Sequence, residues 1–448
     1  MRNRETVSPA RRAAFDILLR VDSERAYASV LIADLSRSDL LREDRGLVQE
    51  IVLGVLRWQR SLDYFVERYA ERAIERLDPQ VLIALRMGLY QLRHLTRIPQ
   101  SAAVSESVKL VKRARLSSAA GMVNAVLRNA ARHLDETAGQ TISDALERMS
   151  VQLSHPRWML ERWRSAFGEQ DTRDLALANN SPSSTAFRVN TLRASTADVL
   201  ADLDAANVKT RESNIAKGAF VVETGLASVI MEAVRRGAIY VQDEASQLVS
   251  ILLDPKPGHR VLDLCAAPGS KTSHIAALSD DQATIIASDL HPHRLITLRA
   301  ACQRLGIESV AAVAMDATRE LPFRHHADKF DRVLVDAPCT GTGTLRSNPE
   351  IKWRLLFDDL TRLAELQLRL LERAASVVAK DGRLVYSTCS MEREENEDVV
   401  RRFLESTNRF RLIRPVAPTD LITGDGFVRT FPHKHRSDGF FAAVLESR

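Results

Sequence analysis

Cysteine is scarce in this 448-residue chain: four occur, Cys265, Cys302, Cys339 and Cys389, all in the C-terminal half. So few, so widely spaced, they exclude a secreted disulfide framework and argue against a zinc site; no metal is expected, and the thiols are expected reduced, as in a cytoplasm. Long apolar runs are also missing. Val81-Leu-Ile-Ala-Leu85 is cut by Arg86, far short of a membrane span. No apolar core follows Met1-Arg-Asn-Arg-Glu-Thr6, so a secretory leader is not expected. Internal repeats and low-complexity segments are absent as well. What remains is 45% hydrophobic and 27% charged, ordinary for a soluble cytoplasmic protein, and long enough for two to four domains.

The net charge of +5 is unevenly placed. Residues 1–150 carry 24 Lys and Arg against 19 Asp and Glu, whereas residues 151–448 carry 39 of each. A basic excess confined to the N-terminal third suits contact with a polyanion, although a solvated helical surface has the same signature.

From Ser8 to about Arg132 the apolar residues recur at helical spacing. Ser8-Pro9 reads as an N-cap with a first-turn proline, followed by Ala14, Ile17, Leu18 and Val21. Further periodic segments cover 48–57, 61–66, 79–95, 101–111 and 121–129, and no β-like alternation interrupts them, so this part is expected to be all-α. Ile98-Pro-Gln-Ser-Ala-Ala-Val-Ser-Glu-Ser-Val-Lys109 and Val123-Asn-Ala-Val-Leu-Arg128 resemble the NusB-like RNA-binding fold over roughly residues 5–135.

A polar connector from Asp135 leads into a helix near Ser150. A small mixed stretch follows, with strands expected at 186–192, 219–222 and 238–242 and a helix from Ser195 to about Ala205. From Gly258 strands and helices alternate, which argues for a mostly parallel sheet covered on both faces. Strands are expected at 260–264, 284–289, 309–314, 331–336 and 383–388, with helices near 270–279, 293–305, 359–380 and 392–405. Gly439-Phe-Phe-Ala-Ala-Val-Leu445 reads as a last, antiparallel strand at the end of the sheet.

Three strand ends carry the chemistry, because open α/β sheets bind ligands at the carboxyl edge of their strands. In Asp263-Leu-Cys-Ala-Ala-Pro-Gly-Ser-Lys-Thr272, small residues let backbone approach a ligand and the next helix supplies free N–H groups. A nucleotide P-loop fails there at Cys265 and Ser270, where glycines are required, and a dinucleotide fingerprint fails because only Gly269 is present. Asp289 closes the next strand, where a carboxylate can accept both ribose hydroxyls. Asp316 closes the third and can meet an adenine amino group. Asp336-Ala-Pro-Cys339 is a rigid turn presenting a carboxylate and a thiol together, and Cys389 follows Tyr386-Ser-Thr. A free thiol with pKa about 8.5 is a few per cent thiolate at neutral pH, a fraction that Lys271 or a helix N-terminus can raise.

Cys265-Ala-Ala-Pro-Gly-Ser-Lys271, Asp336-Ala-Pro-Cys339-Thr-Gly-Thr-Gly-Thr-Leu-Arg346 and Tyr386-Ser-Thr-Cys389-Ser390 resemble the motifs of S-adenosylmethionine-dependent RNA 5-methylcytosine methyltransferases. With the NusB-like front end, the resemblance is to the bacterial ribosomal RNA small-subunit methyltransferase B (Sun or Fmu) type, over nearly the whole chain. It implies three domains: a NusB-like helical RNA-binding domain at 1–140, a small α/β RNA-binding subdomain at 141–245, and a Rossmann-like methyltransferase domain at 246–448. It further implies Cys389 as nucleophile, Cys339 as the group assisting product release, and Asp336 between cofactor and target base. The implied cofactor-binding residues are Cys265, Ala266, Ala267, Pro268, Gly269, Ser270, Lys271, Asp289, Asp316 and Asp336. The implied partner is small-subunit ribosomal RNA, with no membrane and a monomeric chain expected. The family usually has glycine at position 270; serine is small enough that little consequence is expected.

Two other classes compete. A non-enzymatic RNA-binding factor with a degenerate sheet would lack Asp289, Asp336 or Cys389, and all three are present. A thiol–disulfide redox protein would carry a Cys-X-X-Cys pair, whereas Cys339 and Cys389 lie 50 positions apart. In the tail Phe431-Pro-His-Lys-His-Arg-Ser-Asp-Gly-Phe440, a candidate RNA-cleft segment, His433 and His435 read as hydrogen-bonding loop residues rather than metal ligands.

Overall fold

A computed structural model describes residues 6–35, 38–323 and 329–448. The chain forms two compact units: Met1–Pro182 together with Leu345–Arg354, and Ser183–Thr344 together with Leu355–Arg448.

The first unit is helical throughout its described residues. Successive helices are Pro9–Ser23, Ala28–Asp34, Arg42–Arg57, Gln59–Ala70, Pro79–His94, Gln100–Arg113, Ala120–Arg132, Ala145–Leu153, Arg157–Phe167 and Glu169–Asn179. The expected periodicity is their buried stripe, with Ile51, Leu62, Phe65, Leu85 and Leu127 in one apolar core. Helix Pro79–His94 starts where Asp78 accepts from the Gln80 N–H and proline takes the first turn. Ser8 precedes the first helix as expected but does not cap it with its side chain. Its hydroxyl accepts from Arg11, and its N–H donates to Glu106 at 2.7 Å, so the chain start is tied to a distant helix instead.

Leu345–Arg354 belongs to this unit although its sequence neighbours lie in the other. The Lys352 ammonium is buried and donates to the Arg57 carbonyl (2.9 Å), the Ser154 carbonyl (2.8 Å) and Asn180 Oδ1 (3.0 Å). Trp353 Nε1 donates to the Leu56 carbonyl at 2.7 Å, and Glu350 accepts from the Ala28 N–H at 2.9 Å.

The second unit contains two sheets. The smaller comprises β1 (Ala186–Val189), β2 (Lys209–Glu212), β3 (Ala219–Thr224) and β4 (Ile239–Val241), all antiparallel, in the order β2-β3-β1-β4. The larger comprises β5 (Arg260–Asp263), β6 (Thr284–Asp289), β7 (Val310–Ala314), β8 (Phe330–Asp336), β9 (Val378–Thr388), β10 (Phe410–Leu412), β11 (Val428–Arg429) and β12 (Phe441–Ser447). Its order is β10-β12-β9-β8-β5-β6-β7, with β11 paired to β12. Strands β5 to β9 are parallel, and β8 and β9 are apolar runs because helices cover both faces.

The tail strand pairs antiparallel with β9 as expected, but it is not terminal, because β10 pairs along its other side. Phe410–Leu412 is too short to show a period of two, so the edge strand was invisible in the sequence. The helix expected at 392–405 begins at Glu397, after a 3-10 turn at Arg393–Glu395 that aims Glu395 into the protein.

Strand β5 neighbours β8, while the crossover from β5 leads to β6 and that from β8 leads to β9. The order therefore reverses between β5 and β8, and the crevice outside their carboxyl ends is the switch point at which such sheets bind ligands.

Candidate active site

At that switch point β5 ends in Asp263, and residues 264–269 turn into the helix Ser270–Leu278. Gly269 takes φ +102°, and a Cβ there would lie 2.9 Å from Leu298, so only glycine fits the turn. Carboxylates converge around the loop: Asp263, Asp336 and Asp289 all push the Cys265 thiol upward, after burial, which is the largest cause. Held protonated in this way, Cys265 is a poor nucleophile.

Asp263 is fully buried. Its Oδ2 accepts from Thr272 Oγ1 at 2.7 Å, and its Oδ1 has no protein partner. Burial pushes this carboxyl up to about 7, against the Thr272 hydrogen bond and with help from Asp336. Asp289, 5% exposed at the end of β6, accepts from the His291 N–H at 2.9 Å and pairs with Arg294 at 3.3 Å. Asp316 follows the neighbouring strand but is turned to its own loop, accepting from the Thr318 N–H (3.0 Å), Thr318 Oγ1 (2.6 Å) and Arg319 Nε (3.2 Å).

Asp336 and the two cysteines come together at the ends of β8 and β9. Asp336 Oδ2 accepts from Lys271 Nζ at 2.8 Å and Oδ1 from Ser387 Oγ at 2.8 Å. Burial alone would lower the Lys271 pKa, but Asp336 reverses that and holds the ammonium charged; Cys389 contributes in the same direction. The Cys339 and Cys389 sulfurs are 3.4 Å apart, both residues half-buried. The hydrogen bond to Cys389, then burial, drives the Cys339 thiol well up, and either sulfur can be the donor in the contact between them. The surroundings of the pair are asymmetric: the Lys271 ammonium interacts with Cys389, and the Glu395 carboxyl with Cys339.

Three buried polar residues, two at this site and one in the helical unit, escaped the sequence reading. Glu395 is buried and accepts hydrogen bonds from Thr340 and Ser390, the residues after the two cysteines. Arg188 of β1 reaches across to the cofactor-loop helix, donating to Ser273 Oγ at 2.8 Å and to Gln242 at 3.1 Å. Burial lowers its pKa to about 10. Lys352 binds its carbonyls far along the chain from any of them. A lone Glu, Arg or Lys in sequence has no spacing signal, so no pattern could have found these three. Among the described residues no group of three or more His, Cys, Asp or Glu could hold a metal ion. His435 Nδ1 accepts from the Phe431 N–H at 2.8 Å, a loop-closing bond.

Residues 250–446 match the family described as 16S rRNA methyltransferase RsmB/F. Residues 8–132 match the NusB family, and residues 155–228 match the ferredoxin-like domain of RsmF/B-like methyltransferases. A probable ribosomal RNA small subunit methyltransferase B of Bacillus subtilis is 34% identical, covering 97% of this chain and 98% of its own. This chain belongs to the RsmB/F methyltransferase family. The ribosomal RNA small subunit methyltransferase B of Pseudomonas syringae is also 34% identical, over 90% of this chain and 88% of that one. The crystal structure of PH0851 superposes with a TM-score of 0.84 at 29% identity, covering 98% of this chain and 99% of that one. A methyltransferase homologue from Pyrococcus horikoshii gives a TM-score of 0.59 at 30% identity, covering 68% and 100%.

The family is S-adenosylmethionine-dependent. The residues present fit that cofactor: the switch-point crevice gathers Asp263, Asp289 and Asp336, and Asp263 leaves one buried oxygen without a protein donor, as a cationic ligand requires. No helix among the described residues is long and apolar enough to cross a membrane.

Proposed function

We propose that this chain methylates carbon 5 of a cytosine in small-subunit ribosomal RNA through a transient bond between Cys389 and carbon 6. The observation that carries the reading is the pair of sulfurs 3.4 Å apart beside the Asp336–Lys271 pair. Residues 265–271, Asp289, Asp316 and Asp336 are the proposed cofactor contacts, and S-adenosylmethionine supplies an electrophilic methyl group there. Carbon 5 of cytosine is a weak nucleophile. Attack of the Cys389 thiolate on carbon 6 makes carbon 5 enamine-like, and Asp336 favours that step by holding a proton at ring nitrogen 3. Lys271 keeps Asp336 oriented, and its ammonium interacts with the Cys389 sulfur. Once carbon 5 carries the methyl group, a base removes its remaining proton, the ring electrons return, and the carbon–sulfur bond breaks. Cys339, held protonated, assists by donating to the departing Cys389 sulfur. The target base must leave its stack to reach these groups.

The relatives' names support ribosomal RNA as substrate. Incubation with tritiated S-adenosylmethionine and transcribed small-subunit ribosomal RNA, followed by digestion to nucleosides, tests the reading. Label is expected in 5-methylcytidine. Label in any other nucleoside, or in none, overturns it.

A further inference from the structure

We infer that Glu395 is a positioning residue that sets the approach of the two cysteine sulfurs. Its side chain is fully buried. Oε1 accepts from the Thr340 N–H and from Gln367 Nε2, each at 2.9 Å. Oε2 accepts from Thr340 Oγ1 at 2.5 Å and from Ser390 Oγ. Thr340 directly follows Cys339, and Ser390 directly follows Cys389. One carboxylate, from a turn outside either loop, therefore fastens both loops one residue from each sulfur.

Four donors fill the four lone-pair positions of the two oxygens, so the carboxylate has no freedom to rotate away. Gln367 also donates to the Pro338 carbonyl at 2.9 Å, extending the brace to the residue before Cys339. The backbone of the same turn contributes too: the Glu395 carbonyl accepts from Tyr386 Oη at 2.6 Å, fixing the turn to β9. The Thr340 and Ser390 hydroxyls also lie 3.1 Å from each other, a contact that Glu395 orients by accepting from both, and the remaining ties between the loops attach further from Cys339. The Gly343 N–H donates to the Cys389 carbonyl, and Thr342 Oγ1 accepts from the Met391 N–H, both at 2.9 Å. Sulfurs 3.4 Å apart lose their contact when either loop moves by about an ångström, and the brace nearest the sulfurs decides that. The role is one of shape rather than proton transfer, since the carboxylate is enclosed by its donors and touches neither sulfur through a hydrogen bond.

The test reads sulfur approach directly, so it stands whether or not the proposed methylation is correct; only its catalytic arm rests on that reading. With excess hydrogen peroxide, two thiols give a disulfide and two waters, and the rate of the Cys339–Cys389 link is followed by peptide mass spectrometry. Glu395→Ala is expected to slow this link at least tenfold, while each thiol still reacts singly with an alkylating agent. Glu395→Asp, whose carboxylate is one methylene short of spanning both loops, is expected to slow it comparably and carries the test if the alanine variant does not fold. Glu395→Gln keeps the length and is expected to stay within about threefold of the parent. In the methylation assay the same order is expected in kcat with KM nearly constant. Cross-linking at the parent rate in folded Glu395→Ala or Glu395→Asp overturns the inference, as does a glutamine variant as slow as alanine. A parent enzyme that fails to methylate but shows the tenfold cross-linking difference refutes the function and leaves the positioning role standing.

Discussion

Replacing Asp263 by asparagine should abolish a pH dependence that the buried carboxyl imposes on the cofactor-binding unit. In the folded chain this group sits at about 7 against an ordinary 3.8, with burial as the main cause. Between those values the native state holds a proton that the unfolded chain has released, so stability falls as pH rises from about 4 and the loss is complete above pH 7. At about 1.4 kcal/mol per pH unit, the full loss is about 4 kcal/mol, of which roughly 2.7 kcal/mol develops between pH 5 and 8. The assay is hydrogen exchange by mass spectrometry on peptides covering β5 and β6, comparing variant with parent at each pH so that intrinsic exchange cancels. All four tryptophans, Trp58, Trp158, Trp163 and Trp353, fall in the helical unit, so their fluorescence is a control that should not move. Protection in Asp263→Asn relative to parent should increase by about a hundredfold from pH 5 to pH 8. Parallel pH profiles would refute the reasoning. The same variant should bind S-adenosylmethionine more weakly at pH 8, because the free Oδ1 no longer carries charge.

Lys352→Met leaves the Arg57 and Ser154 carbonyls and Asn180 Oδ1 without their donor, at about 1–3 kcal/mol for each orphaned acceptor, so tryptophan fluorescence should show the helical unit destabilised by about 3 kcal/mol. Burial holds the Lys352 pKa well below its ordinary value, so the parent's helical unit should gain stability as pH rises towards 10, and the methionine variant should lack that gain. A Cβ on Gly343 would lie 2.0 Å from the Gly439 carbonyl oxygen and 2.9 Å from that of Cys389; Gly343→Ala should therefore cost 10- to 100-fold in methylation rate while circular dichroism stays unchanged.

The parallel strands were legible because each is an uninterrupted apolar run ending in a polar turn: Val333–Val335 and Leu384–Tyr386 are fully buried, and Asp289 and Asp336 close their strands where expected. Most helices of the first unit were legible from their stripe for the same reason, whereas Ala28–Asp34, Arg157–Phe167 and Glu169–Asn179 were not read as helices. Strand β2, Lys-Thr-Arg-Glu, has no buried residue and could not be distinguished from a loop. Helix Glu244–Leu253 is buried on all sides, so its apolar run carries no period. The motifs located the cysteines and Asp336 because their chemistry depends on local turns. Glu395, Arg188 and Lys352 act through tertiary contacts whose partners lie up to 295 positions away, and local sequence holds no record of such pairings. Asp316 was likewise found from its place after a strand, and Thr318 and Arg319 set its carboxylate in a local turn.

The most direct measurement of the covalent step is a denaturing gel of Cys339→Ala, alone and combined with Cys389→Ala, after incubation with labelled ribosomal RNA and methyl donor. Removing the group that assists release while leaving the attacking sulfur should give a denaturant-resistant protein–RNA band in the single variant and none in the double variant. Full methylation by Cys389→Ala alone would contradict the account.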